Sequence, residues 1–235
     1  MDNINIKEKK DYFIPLLEES GWDSIKELVG SPMFDDILVK LINEVNQGRR
    51  FTPLYKDIFN AFLECPYQDT KVVIIGQDPY PQLGVADGIA FSCSKTGKAE
   101  KSLQYILKQT VGNFTDTGRV IYTPEECDLR RWANQGVLLL NTALTTQVSK
   151  IGSHYTIWSS FMNKVFQELN EHGDLIIALL GKKAEAYEIA LSNNTIFKVT
   201  HPASAAYRGG EWDCGDLFNK INKELKLKGK PLINW

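Results

Sequence analysis

Three short stretches of this sequence combine side chains that do chemistry with apolar runs able to carry them. Gly76-Gln77-Asp78-Pro79-Tyr80-Pro81 follows a β-branched run and leads to Gly88-Ile89-Ala90-Phe91-Ser92. Leu138-Leu139-Leu140-Asn141-Thr142 puts an amide directly behind apolar residues. Thr200-His201-Pro202 does the same with an imidazole, ahead of Ala203-Ser204-Ala205-Ala206-Tyr207-Arg208-Gly209. A carboxylate, an amide and an imidazole, with Tyr80 and Phe91 as aromatic walls, would make a pocket for a planar polar ring. Taken singly, each has a plain structural reading. Asp-Pro closes turns, Asn caps a strand or a turn, and a lone His is commonly a structural hydrogen-bonder. The chemistry depends on whether the fold brings the three together.

The elements that must do so are legible as periodicity. Runs at 71–75, 137–140, 175–180 and 196–200 read as buried strands. Helical patterns at 102–111, 157–169 and 183–191 fall between them, and 22–45 holds two more helices punctuated by Gly30-Ser31-Pro32. This alternation predicts an α/β fold, three-layer α/β/α, around a central, mostly parallel four-stranded sheet. In such a sheet the loops at the carboxyl ends of the strands share one crevice, and function belongs there. No repeat or low-complexity linker divides the chain, so residues 1–235 are expected to form a single domain. The lysine-rich stretch 220–230 reads as a solvated helix face.

Composition sets the remaining bounds. With 43% hydrophobic and 24% charged residues, the 235-residue chain has a globular profile. Its longest apolar runs fall far short of the roughly 20 residues that span a bilayer, so no membrane is expected. The opening residues mix both charge signs without an apolar stretch and cleavage site, and a cytoplasmic location is expected. Cys65, Cys93, Cys127 and Cys214 lack Cys-x-x-Cys spacing and read as free thiols; His154, His172 and His201 lack metal-binding spacing. No metal and no cofactor are expected. A net charge of −2 weighs against broad phosphate binding. A local basic rim, supplied by Lys95, Lys98, Lys101, Lys182, Lys183 and Arg208, would still suffice around one extruded nucleotide.

Three separated motifs resemble the uracil-DNA glycosylases of the branch that carries a Gly-Gln-Asp-Pro-Tyr motif. They are Gly76-Gln77-Asp78-Pro79-Tyr80 with Phe91-Ser92, then Gln135-Gly136-Val137-Leu138-Leu139-Leu140-Asn141, and His201-Pro202 with Tyr207-Arg208-Gly209. Weaker similarity extends from Trp22 to about Phe218, and the three motifs stand in the right order, each at a predicted strand end. The resemblance implies a DNA repair enzyme that flips uracil out of DNA and hydrolyses its N-glycosidic bond. It makes Asp78 the carboxylate that stabilises positive charge on the sugar and orients the water. It makes His201 the donor to uracil O2, acting as a neutral imidazole of low pKa. Asn141 would read the Watson–Crick edge, Phe91 would stack on the ring, and Tyr80 would fill the space of a thymine methyl. The backbone N–H of Gln77 would also point at O2. Ser102, Lys182, Ser204, Tyr207 and Arg208 would contact DNA. The expected partners are uracil-containing single- or double-stranded DNA, with a DNA face also open to a proteinaceous inhibitor, and a monomer is expected.

The departures from the family pattern cluster in the loops that grip DNA. Pro81 stands where the family has His. Lys98-Ala99-Glu100-Lys101-Ser102 keeps the Ser but not the prolines before it, and Gly181-Lys182 replaces Gly-Ser. After His201-Pro202 the family places a leucine that wedges into the duplex. Here only Ala and Ser follow, in a segment one residue shorter, and a methyl group offsets unstacking poorly. Modified duplex handling or a single-strand preference is the expected consequence, with Tyr207 or Arg208 as substitutes for the wedge. Two other readings stay open at this point. One is a DNA-binding subunit with a vestigial pocket; the other is a small-molecule enzyme on an open α/β sheet, which the lack of a Gly-x-Gly-x-x-Gly or phosphate-loop pattern disfavours.

Overall fold

A computed structural model of the chain describes residues 6–111, 122–208 and 210–235; the side chains of 206–208 lie outside the description. Helices α1 (Ile6–Glu19), α2 (Asp23–Gly30) and α3 (Pro32–Asn46) lead to the short strand β1 (Phe51–Thr52) and helix α4 (Asn60–Glu64). Strand β2 (Val72–Gly76) is followed by α5 (Lys101–Thr110), α6 (Arg130–Ala133), β3 (Val137–Asn141) and the short β4 (Thr146–Gln147). The chain continues through α7 (Tyr155–His172), β5 (Ile176–Leu180), α8 (Lys182–Glu185), β6 (Thr195–Val199), α9 (Ala203–Arg208) and α10 (Leu217–Leu227).

The four long strands form one sheet in the order β3-β2-β5-β6, with every pairing parallel. Parallel strands joined by helical crossovers are covered on both faces, which is why β2, β3 and β5 read as unbroken apolar runs. Val73 and Ile75 of β2, Leu138 and Leu140 of β3, and Ile177 and Leu179 of β5 face a core built from α1–α4 and α7, around Phe13, Trp22, Phe59, Trp158 and Phe161. The alternate residues face a second core closed by α5, α6 and α10, around Leu103, Trp132, Phe218 and Ile221. The predicted three-layer α/β/α arrangement is therefore the observed one. Among the described residues no helix is long and apolar enough to cross a membrane.

Three elements differ from the sequence reading. The helix expected over 183–191 is the four-residue α8 followed by a turn and a 3₁₀ segment, Ile189–Leu191. Hydrogen bonds there tighten from Ala186 N–H to the Lys182 carbonyl to a three-residue spacing at Tyr187 and Glu188. Ala184 and Leu191 are buried but Ile189 is 89% exposed, so no continuous apolar face sustains a longer helix. Helix α1 has no counterpart in the periodicity reading; it is anchored by the fully buried Phe13 and Leu17. The antiparallel pair β1–β4, with Phe51 opposite Gln147 and Thr52 opposite Thr146, was equally unforeseen. It carries the turn over 148–153 to the edge of the crevice.

Candidate functional site

Because the four strands are parallel, β2, β3 and β6 all deliver their carboxyl ends to the same side of the sheet. Gly76 pairs with Asn141 in register, so Gln77 and Asp78 leave the sheet beside the Asn141 side chain. The structure brings Gln77, Asp78, Tyr80, Phe91, Ser102, Asn141 and His201 to the lining of one cavity of about 160 Å³. That is the scale of a few water molecules or one small ring, below the roughly 300–1,000 Å³ of a drug-sized pocket.

Each wall is held by backbone geometry. Gly76 lacks the Cβ that would lie 2.7 Å from Asn141 Oδ1 and 2.9 Å from Phe91 Cζ, so only glycine lets the amide and the ring approach together. Phe91 adopts φ 67°, the left-handed region that is unfavourable for a bulky side chain. A buried knot under it sustains that conformation. The Asp87 carboxylate, fully buried, accepts Ser92 Oγ and Ser94 Oγ at 2.6 Å each, Ser94 N–H at 3.1 Å and Ile89 N–H at 3.2 Å. Ala90 N–H bonds the Leu139 carbonyl of β3 at 3.1 Å. Tyr80 donates its hydroxyl to the Phe91 carbonyl at 3.0 Å, fixing the phenol edge against the cavity. Burial pushes the Tyr80 pKa well up, so it remains a neutral donor. The Gln77 carbonyl is tied down by Thr142 Oγ1 at 2.7 Å and Ala143 N–H at 3.2 Å.

Burial pushes both titratable groups toward their neutral forms, and hydrogen-bond donors oppose it at Asp78. Asp78 Oδ2 accepts the Gly152 N–H at 2.6 Å, and the Tyr155 hydroxyl faces Oδ1 at 3.5 Å. Burial raises the Asp78 pKa above the ordinary carboxylate value, opposed by Gly152, Thr146 and Tyr155. His201 sits with its ring centroid 5.7 Å from that of Phe91. Its Nδ1 accepts the Ala203 N–H at 3.2 Å, which assigns the proton of the neutral ring to Nε2. Burial lowers the His201 pKa to about 4, so the ring is neutral at physiological pH. Gly181, at φ +89°, is required behind it, since a Cβ there would lie 2.7 Å from His201 Cβ. Among the described residues no hydrogen bond engages the Asn141 side chain, which leaves its donor and acceptor for a ligand. A half-buried carboxylate, a neutral imidazole donor and an uncommitted amide around a flat aromatic wall suit a planar ring with carbonyl and N–H groups at its edge.

The residues expected to contact DNA are dispersed differently. Ser102 is buried in the first turn of α5 and lines the cavity. Lys182 is an exposed side chain at the start of α8, next to Gly181, and Ser204 is half-buried in α9, its N–H bonded to the His201 carbonyl at 2.9 Å. Tyr207 and Arg208 belong to α9 by backbone, and their side chains lie outside the described residues. Sequence reasoning missed Gly152, Leu144 and Ile151, the last two lining the cavity and Ile151 being 61% exposed at its mouth. Leu144 lies in the loop before the two-residue strand β4, and Ile151 and Gly152 lie in the turn after it, segments too short for any periodicity to register. The four cysteines are buried free thiols, and among the described residues no group of three His, Cys, Asp or Glu has metal-binding geometry.

A profile of the Uracil DNA glycosylase superfamily matches residues 62–226. A protein of Coxiella burnetii (strain Dugway 5J108-111) named Uracil-DNA glycosylase is 37% identical over 225 residues, covering 94% of this chain and 97% of that protein. One of the same name from Acinetobacter baylyi is 36% identical over 224 residues, covering 93% and 92%. The crystal structure of mimivirus uracil-DNA glycosylase superposes with a TM-score of 0.80 at 25% identity, over 94% of this chain and 88% of that one. A variant of mimivirus UNG in complex with UGI superposes with a TM-score of 0.78 at 25% identity, over 92% and 87%.

Proposed function

The chain belongs to the uracil DNA glycosylase superfamily, and from that premise we propose that it is a DNA repair enzyme of the Gly-Gln-Asp-Pro-Tyr branch. It extrudes uracil from DNA and hydrolyses the bond between base and sugar, leaving an abasic site for base excision repair. The observation that carries this reading is the convergence of Asp78, Asn141 and His201, from three different strand ends, on one cavity walled by Tyr80 and Phe91.

The chemistry follows from the side chains. As the glycosidic bond breaks, positive charge grows on the deoxyribose and negative charge on uracil O2. Asp78, ionised and held by the Gly152 N–H, stabilises the first and orients water toward the sugar. His201, with its proton on Nε2, donates to O2 without needing to become imidazolium. The N–H of Gln77, in a segment clamped by Thr142 and Ala143, adds a second donor to O2. Asn141 accepts from uracil N3–H and donates to O4; cytosine presents the reverse pattern and leaves both groups mismatched. Phe91 stacks on the ring. Tyr80, locked to the Phe91 carbonyl, occupies the space of a C5 methyl and excludes thymine.

Lys182, Ser204, Tyr207 and Arg208 hold the DNA backbone, with Ser102 reaching it from the cavity side. The missing apolar wedge after Pro202 weakens extrusion from a duplex, so single-stranded uracil is the better substrate. The enzyme works as a cytoplasmic monomer of one domain. A protein inhibitor docks on the DNA face, a reading supported by the likeness to mimivirus UNG in complex with UGI.

The test is uracil release from matched single- and double-stranded oligonucleotides, each with one uracil, beside a thymine control and Asp78→Asn. Release of uracil, none of thymine, and a loss of about a thousandfold in Asp78→Asn are expected. If neither strand is cut while DNA is still bound, the pocket is vestigial and the chain serves as a binding subunit.

A further inference from the structure

We propose that Tyr155 is a positioning residue for Asp78, holding the carboxylate from both of its oxygens at once; this rests on the reading of Asp78 as the catalytic carboxylate. The two residues are 77 positions apart, joined only by the fold. The Tyr155 hydroxyl faces Oδ1 at 3.5 Å, the long end of hydrogen-bond range. It therefore steadies that oxygen while leaving it capacity to accept from water. The other oxygen is held through the ring. Gly152, which grips Oδ2 at 2.6 Å, has φ +73°, and a Cβ on it would lie 2.8 Å from Tyr155 Cε2. The phenol thus packs on the glycine that donates to Asp78, and fixes the turn from which the N–H points. The Lys183 ammonium, 4.8 Å from the ring centroid, adds a cation–π contact that anchors the ring to α8.

Burial has the largest effect on Asp78 protonation, and the Gly152 N–H, Thr146 and Tyr155 oppose it in that order. Thr146, whose hydroxyl donates to the Lys150 carbonyl at 2.9 Å, also lowers the Asp78 pKa. His154 is near enough for a charge effect but is held neutral. Trp158 Nε1–H donates to Thr145 Oγ1 at 2.7 Å; with the proton of the neutral His154 ring on Nε2, facing Glu44 at 3.0 Å, Nδ1 accepts from Thr145 at 2.8 Å. Burial keeps the His154 pKa low despite Glu44. Burial, with Asp78 nearby, also pushes the Tyr155 pKa far up, so its hydroxyl retains the proton it donates.

Tyr155→Phe removes the hydroxyl and keeps the ring; Tyr155→Leu removes both. We expect Tyr155→Phe to lower kcat about tenfold with KM within about twofold, because the lost donation acts on the ionised carboxylate and not on uracil binding. Loss of a donor to the charged form raises the Asp78 pKa, so the acid limb of the kcat profile and the NMR titration of the Asp78 carboxyl carbon both move to higher pH. Tyr155→Leu lowers kcat further. An unchanged Asp78 titration in Tyr155→Phe, with thermal unfolding as in the parent, overturns the proposal. If the parent enzyme releases no uracil, the functional reading fails, and the carboxyl titration still decides whether Tyr155 governs Asp78.

Discussion

The base cavity and the rim around its mouth are held by different kinds of interaction. In the cavity the walls are set by close local contacts: Asn141 and Phe91 meet over Gly76, His201 packs on Gly181, Phe91 stands over the Asp87 knot, and Asp78 accepts the Gly152 N–H. At the rim, Lys182 is exposed, and Ile151 and Leu83 are 61% and 48% exposed. Ser149 N–H bonds the Pro81 carbonyl at 2.9 Å, which ties the loops bearing Ile151 and Leu83 to each other. The difference teaches where tolerance lies. A buried constellation fixed by backbone contacts fails when one atom moves, whereas a solvated rim of point charges adjusts, because each contact is weak and screened.

The sharpest way to break this contrast is Gly76→Ala. The added methyl meets both Asn141 Oδ1 and Phe91 Cζ within 3 Å, so amide and ring must move apart. We expect kcat/KM for uracil to fall about a hundredfold, the scale of a roughly 1 Å misplacement, with the fold retained by thermal unfolding. An enzyme of parental activity would show that the cavity is as forgiving as the rim. A smaller effect comes from pH. Asp78 must be ionised, and burial raises its pKa from its ordinary value, so kcat falls with pH at a correspondingly higher pH than for an unperturbed aspartate. Burial lowers the His201 pKa to about 4, and protonation leaves its donating Nε2–H in place, so the limb is assigned to Asp78. His201→Asn should therefore lower the plateau about tenfold yet leave the acid limb where it is; a limb that moves would assign it to His201 instead.

The same contrast explains what the sequence could reveal. The strands β2, β3, β5 and β6 are buried on both faces or lie at the sheet edge as β-branched runs, and their ends carry Asp78, Asn141 and His201 within two residues of the last strand position. Local pattern and topology then suffice to bring them together. Tyr155, Gly152 and Asp87 could not be read this way. Tyr155 sits in the first turn of an amphipathic helix as any partly buried aromatic might, and Asp87 in a loop looks like a solvated carboxylate until the fold encloses it with three donating residues. Helix α8 was overextended because Lys183 to Leu191 repeats apolar residues at helical spacing, while only the fold decides that Ile189 faces solvent. Long-range contacts leave no local trace in composition or period.

The smallest expected effect lies at the rim and sharpens the comparison from its other side. Lys182 presents an exposed ammonium at the start of α8, one residue from the Gly181 that packs behind His201. If it neutralises one phosphate, Lys182→Ala should weaken DNA binding about threefold at moderate salt. It should also lower the slope of log affinity against log salt by about one, equally for uracil-containing and undamaged strands. Single-turnover cleavage of saturating substrate should be unchanged, since no cavity wall depends on that ammonium. A loss of kcat with the salt slope intact would mean instead that Lys182 acts through Gly181 on His201, so that rim and cavity form one mechanical unit.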